Sequence, residues 1–129
     1  MPDYLNYLGG NMGRQLVFWK YEDGIYLNNG EVYRAAVAEG KNVTGLAELP
    51  ISEILLKVKK TFREYERLDD YNYGGLEGAF TIHTTPQCVT FDCSLRMSEK
   101  ELNKIIDLMA GFGCPYYDPQ IETRFDGKN

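Results

Sequence analysis

Two stretches of this chain repeat apolar residues at helical spacing, and the stretches around them repeat at strand spacing, which confines the fold to helices packed on a sheet. In the first helical stretch Ile51, Ile54, Leu55, Val58, Phe62 and Tyr65 share one side, while Glu53, Lys57, Lys60, Glu64 and Arg67 take the other. The pattern predicts an amphipathic helix that begins at Pro50, a residue suited to a first helical position, and ends near Leu68. The second starts at Ser98 with Glu101 three residues on, a capping box, and Met97 and Leu102 are placed to staple its entry. Leu102, Ile105, Ile106 and Met109 form its apolar stripe, and Gly111 or Gly113 ends it.

Between the helices, Phe80 and Ile82 alternate in residues 76–84, and Val89, Phe91 and Cys93 alternate in residues 88–95. Joined around Pro86, these make a hairpin with one core face and a polar face of Thr81, His83, Thr90 and Asp92. Ahead of the first helix, residues 15–20 and 25–28 flank Glu22-Asp23-Gly24 and read as another hairpin. Residues 31–38, with Tyr33, Ala35 and Val37 on one face, read as a further strand. Residues 69–75 are a loop, and the proline-rich segment after Gly113 has room for one short edge strand.

From Glu31 onward the order is therefore strand, helix, strand, strand, helix, short strand. It predicts an α+β fold, an antiparallel sheet with two helices on one face, in the ferredoxin-like split βαβ arrangement with an extra N-terminal hairpin. The other sheet face is expected to stay open. A chain of 129 residues suits a single domain, with residues 1–14 as an N-terminal arm and 120–129 as a peripheral tail.

The charges narrow the function. With 14 Lys and Arg against 19 Asp and Glu, the net charge is -5, which argues against nucleic acid as a partner and favours a basic protein. No Lys or Arg occurs from Asp69 to Leu95, so one side of the molecule is expected to present a negative field. No run approaches the ~18 consecutive apolar residues of a membrane span. Met1 to Asn11 has neither the basic nor the apolar region of a secretory signal, so the expected location is cytoplasmic and the sequon at Asn42 silent. Cys88, Cys93 and Cys114 are odd in number and lack zinc-site spacing, so they read as reduced thiols, with Cys88 and Cys93 on opposite faces of their strand. No cofactor and no metal is expected, since a lone His cannot complete a site.

Three groups of residues are candidate sites. His83 and Asp92, on adjacent strands, are the one pair resembling acid–base equipment, with Thr81, Thr85 or Cys88 as conceivable nucleophiles; solvated polar residues on a sheet face are the commoner meaning of such a pair. Gly74-Gly75-Leu76-Glu77-Gly78 leads into a strand and lacks a phosphate-loop ending, so it is a flexible connection. The ten tyrosines are the compositional anomaly. Tyr71 and Tyr73 stand among Asp69, Asp70 and Glu77, and these five residues make an acidic, aromatic segment of the kind that receives a basic partner.

In size, in acidity, in the acidic aromatic segment 69–77 and in the tail Gly113-Cys-Pro-Tyr-Tyr-Asp-Pro-Gln120, the chain resembles the small immunity proteins encoded beside bacterial polymorphic and contact-dependent growth inhibition toxins. The resemblance is one of general character and includes no diagnostic motif. It implies a non-catalytic protein, a monomer or weak homodimer, that neutralises one cognate toxin domain, often a basic nuclease, by occluding its active site. Two other classes fit the composition: a small enzyme or ligand-binding domain using the open sheet face around His83, Asp92 and Trp19, and a regulatory or structural adaptor.

Overall fold

A computed structural model describes residues 13–126 of the chain. The N-terminal arm expected over residues 1–14 therefore lies almost wholly outside the described residues, as does the end of the tail. The order is β1 (Arg14–Trp19), α1 (Asn29–Val32, continued by π-helical turns over Tyr33–Ala38), α2 (Ile51–Thr61), β2 (Glu66–Arg67), β3 (Asn72–Gly75), β4 (Gly78–Thr84), β5 (Cys88–Cys93), α3 (Glu99–Ala110), β6 (Tyr116–Asp118) and β7 (Thr123–Arg124). All seven strands join one sheet in the order β2-β3-β4-β5-β1-β6-β7, and every pairing is antiparallel.

The two amphipathic helices cover one face, as expected. Ile54, Val58 and Phe62 from α2 and its end, with Leu102, Ile105 and Met109 from α3, close over Leu16, Phe18, Phe80, Ile82, Val89 and Phe91. Ser98 caps α3 by accepting from the Glu101 amide at 3.3 Å. The Glu101 carboxylate does not return the bond; it turns inward to Tyr65. Gly113 takes a left-handed backbone (φ 80°), which lets the Cys114 amide donate back to Met109 at 3.0 Å and stop the helix.

Residues 31–38 are helical, which corrects the strand reading. Asn28 accepts from the Glu31 amide at 2.9 Å as an N-cap, and the run Tyr-Arg-Ala-Ala-Val-Ala favours helix through its alanines. The Glu39 amide donates to the Arg34 carbonyl at 3.0 Å, so these turns are wider than α.

The N-terminal hairpin is absent too. Its turn forms, with the Ile25 amide donating to Glu22 at 3.0 Å, but the chain runs on into α1 rather than pairing back. β1 goes instead to the middle of the sheet, between β5 and β6. Leu16, Val17, Phe18 and Trp19 are all buried, so both faces of β1 need cover, and a two-stranded ribbon cannot supply it.

The second face is therefore half covered. Val32 and Ala36 of α1 pack with Val17, Trp19, Cys88, Leu46 and Tyr117 in a smaller core. Cys88 lies here and Cys93 in the main core, on opposite faces as their spacing requires. What stays open is the β3–β4 side, where Asn72, Ala79 and Thr81 are half-buried and His83 is exposed. α2 stops at Thr61, ahead of the expected end near Leu68, because the chain must turn into β2, which occupies part of the expected helix, and β3, which occupies part of the expected loop. At the other end β7 adds two residues to the sheet with Arg124 buried, so this part of the expected tail is anchored.

Candidate functional site

The segment 69–77 is built as a tight turn followed by a strand. Asp69 Oδ1 accepts from the Tyr71 amide at 2.7 Å and from Asn72 Nδ2 at 3.0 Å, an arrangement that rigidifies the β2–β3 turn. The Tyr71 amide and the Asn72 side chain hold the Asp69 carboxyl below its ordinary pKa. Asp70 pairs with Arg67 in an exposed ion pair. Tyr71 and Leu68 project outward, 42% and 67% exposed.

Strand geometry separates the five candidate residues. Successive side chains of β3 alternate faces, so Tyr73 turns into the core, 3% exposed, and stacks on Phe80 with ring centroids 4.9 Å apart. Glu77 is exposed but sits in the β3–β4 turn, at the opposite end of β3 from Asp69, Asp70 and Tyr71. A four-residue strand puts those ends about 10 Å apart. The negative field expected of this stretch has cations from neighbouring elements beside it. Arg67 reaches Asp70 from β2, and Lys60, Arg63 and Lys100 line the same hollow as Glu77.

His83 and Asp92 do meet, with Nε2 2.8 Å from Oδ2. The Tyr33 hydroxyl donates to Gln15 at 2.6 Å and Gln15 Nε2 donates to the other Asp92 oxygen at 3.3 Å, so a polar chain crosses three strands from α1 to His83. Both ends of the His83–Asp92 pair are open to water, with side chains 62% and 47% exposed. A cavity of about 330 Å³ adjoins Asp92, Gln15 and Tyr33, and His83 is outside it.

Of the groups that a catalytic reading would add, Thr81 stays half-buried on the open face with its hydroxyl donating to Asn72 at 2.8 Å, Thr85 is half-buried and accepts from the Gln87 and Cys88 amides, and Cys88 is withdrawn. Cys88 Sγ lies under α1, 3.7 Å from the Ala36 carbonyl oxygen, and burial pushes its thiol pKa up. Thr90 is buried, and Trp19 is fully buried beneath α1 instead of facing solvent. Among the described residues no three His, Cys, Asp or Glu side chains gather as metal ligands, and no helix is long and apolar enough to cross a membrane.

Sequence reasoning missed the surface at the C-terminal end of α2. Lys60 and Arg63 there face Lys100 and Lys104 of α3 across a hollow of about 600 Å³. The signal was present as Lys59-Lys60 in the last turn of one helix and Lys100 and Lys104, four apart, at the start of the other. Only the α2–α3 contact brings them together. No protein-family model matches the chain, and no curated protein matches it.

Proposed function

We propose that this protein acts by binding a basic protein partner, without catalysis, and that the β2–β3 turn is the part of its surface that makes the contact. The observation that carries this reading is the turn itself: Asp70 and the Tyr71 ring are exposed side by side on a backbone already braced by Asp69. A braced turn loses little conformational freedom on binding. Among the described residues Asp70 is held by its exposed pair with Arg67 alone, a contact that water screens, so a guanidinium from a partner can replace Arg67 at small cost. Tyr71 and Leu68 add the apolar area that an interface centre uses.

The resemblance to immunity proteins extends the proposal. In that role the partner is a cognate toxin domain, a basic nuclease among the candidates, met in the bacterial cytoplasm and blocked at its active site. The adjacency β4-β5-β1-β6, with α2 and α3 as the two crossovers, supports a ferredoxin-like split βαβ core in which β1 takes the place first given to residues 31–38.

The test is Asp70→Lys with Tyr71→Ala, leaving Asp69 to hold the turn. With the partner captured by co-purification, the double variant should lose affinity, chiefly through a slower association that salt no longer modulates, while its melting temperature stays near that of the parent. In cells expressing the toxin domain the variant should protect less well. Binding that is unaltered across ionic strengths removes the turn from the interface.

A further inference from the structure

Six of the 14 Lys and Arg residues, namely Lys59, Lys60, Arg63, Arg67, Lys100 and Lys104, line two adjoining hollows of about 600 and 700 Å³ on the helix side of the molecule. The hollows share Lys60, Phe62, Arg63 and Tyr65, so they form one groove along the C-terminal end of α2. It runs from the first turn of α3 and the β3–β4 turn at one end to Arg67 and Tyr73 at the other. Arg67 and Lys104 are committed to Asp70 and Glu101. Lys59, Lys60, Arg63 and Lys100 make no ion pair among the described residues.

Solvation and the α2 dipole account for cations at a helix end. They do not account for the leucines beside them. Leu76 is 97% exposed in the two-residue β3–β4 turn, a position where polar or glycine residues serve the backbone and an apolar one gains nothing by itself. Leu56, 52% exposed, rims the other hollow. The turn that presents Leu76 is held in place by Gly78, whose φ of +130° and close approach to Met97 exclude a side chain.

We propose that this groove docks an acidic segment of a protein partner that carries at least one large apolar side chain. Its carboxylates meet Lys60, Arg63 and Lys100, and its apolar group packs on the exposed Leu76 and the half-buried Tyr65 ring. A short segment feels only charges within about 8–10 Å in physiological salt. It therefore experiences the local excess of Lys59, Lys60, Arg63 and Lys100 over Glu64 and Glu77, which line the groove with them, whereas a long polyanion such as nucleic acid also meets the repulsion of a chain with net charge -5. This surface adjoins the β2–β3 turn at the Arg67–Asp70 pair but is centred on Lys60, Arg63 and Lys100 and is opposite to the turn in charge, so the inference does not rest on the function proposed above.

The probe is a fluorescein-labelled synthetic peptide of glutamates with two leucines, followed by anisotropy and by amide shifts in NMR. Shifts should centre on the end of α2 and on Leu76. Lys60→Glu with Arg63→Glu should weaken binding by at least about tenfold, as expected for reversal of close charges, and Lys100→Glu alone should weaken it measurably. Leu76→Ser should weaken the leucine-bearing peptide and leave a leucine-free version unchanged. Asp70→Lys should not reduce binding, which separates this site from the turn. The proposal is overturned if the peptide fails to bind, if the charge-reversed variants bind it equally, or if the leucine-free peptide or inorganic polyphosphate binds as tightly.

Discussion

The Tyr65 hydroxyl donates a 2.7 Å hydrogen bond to Glu101 Oε1, tying the chain just beyond α2 to the first turn of α3. Glu101 is a buried acid, 4% exposed, and its other oxygen lies 2.9 Å from Lys104 Nζ. Burial by itself raises the Glu101 pKa, but the Tyr65 hydroxyl and the Lys104 ammonium outweigh it and hold the carboxyl below its ordinary value. For Tyr65 burial comes first and the Glu101 carboxylate second, and both push the phenol up.

A depressed carboxyl contributes stability that is complete above its unfolded pKa and is lost as pH falls through its folded pKa. The parent protein should therefore lose stability on acidification below the ordinary glutamate range, and Glu101→Gln should flatten that loss. Tyr65→Phe should cost about 1–3 kcal/mol near neutrality, since it leaves one oxygen of a buried carboxylate without its donor. Urea unfolding at several pH values measures both. An acid limb unchanged in Glu101→Gln would assign the titration to other carboxyls.

Asn28 caps α1, so Asn28→Ala should destabilise by about 1 kcal/mol. A residue before a strand would show no such dependence. Because α1 covers Trp19, the same variant should increase quenching of the single tryptophan's fluorescence by iodide.

All three thiols are buried, and burial raises the pKa of Cys93 to about 12 and that of Cys114 to about 11. A thiol reagent at neutral pH should modify none of them quickly in the native protein and all three after denaturation. Rapid labelling of Cys88 in the native state would show that α1 opens.

His83→Ala removes an exposed pair with Asp92 and should change stability by no more than about 1 kcal/mol. Partner binding through the β2–β3 turn should be retained. Loss of biological activity in this folded variant would move the function to the polar chain running from Tyr33 to His83.

The elements that the sequence determined by itself are those whose periodicity is local and whose partner face is single. α2, α3 and the β4–β5 hairpin each bury one side, so Ile54, Val58, Ile105, Phe80 and Phe91 announce their own orientation. The Ser98 cap was equally legible, as was a stop at Gly111 or Gly113, because capping involves only neighbours along the chain. Tertiary structure decided the rest. The segment 31–38 carries apolar residues compatible with either a strand or a helix, and the sheet face offered by Val17, Trp19 and Cys88 selects the helix. β1 left its apparent hairpin partner because residues buried on both faces find cover only in the middle of a sheet. Tyr73 looked like a binding residue by composition and is a core residue by the alternation of β3. Glu101 and the cations facing it belong to segments some 40 residues apart, and no pattern within either segment records that they meet.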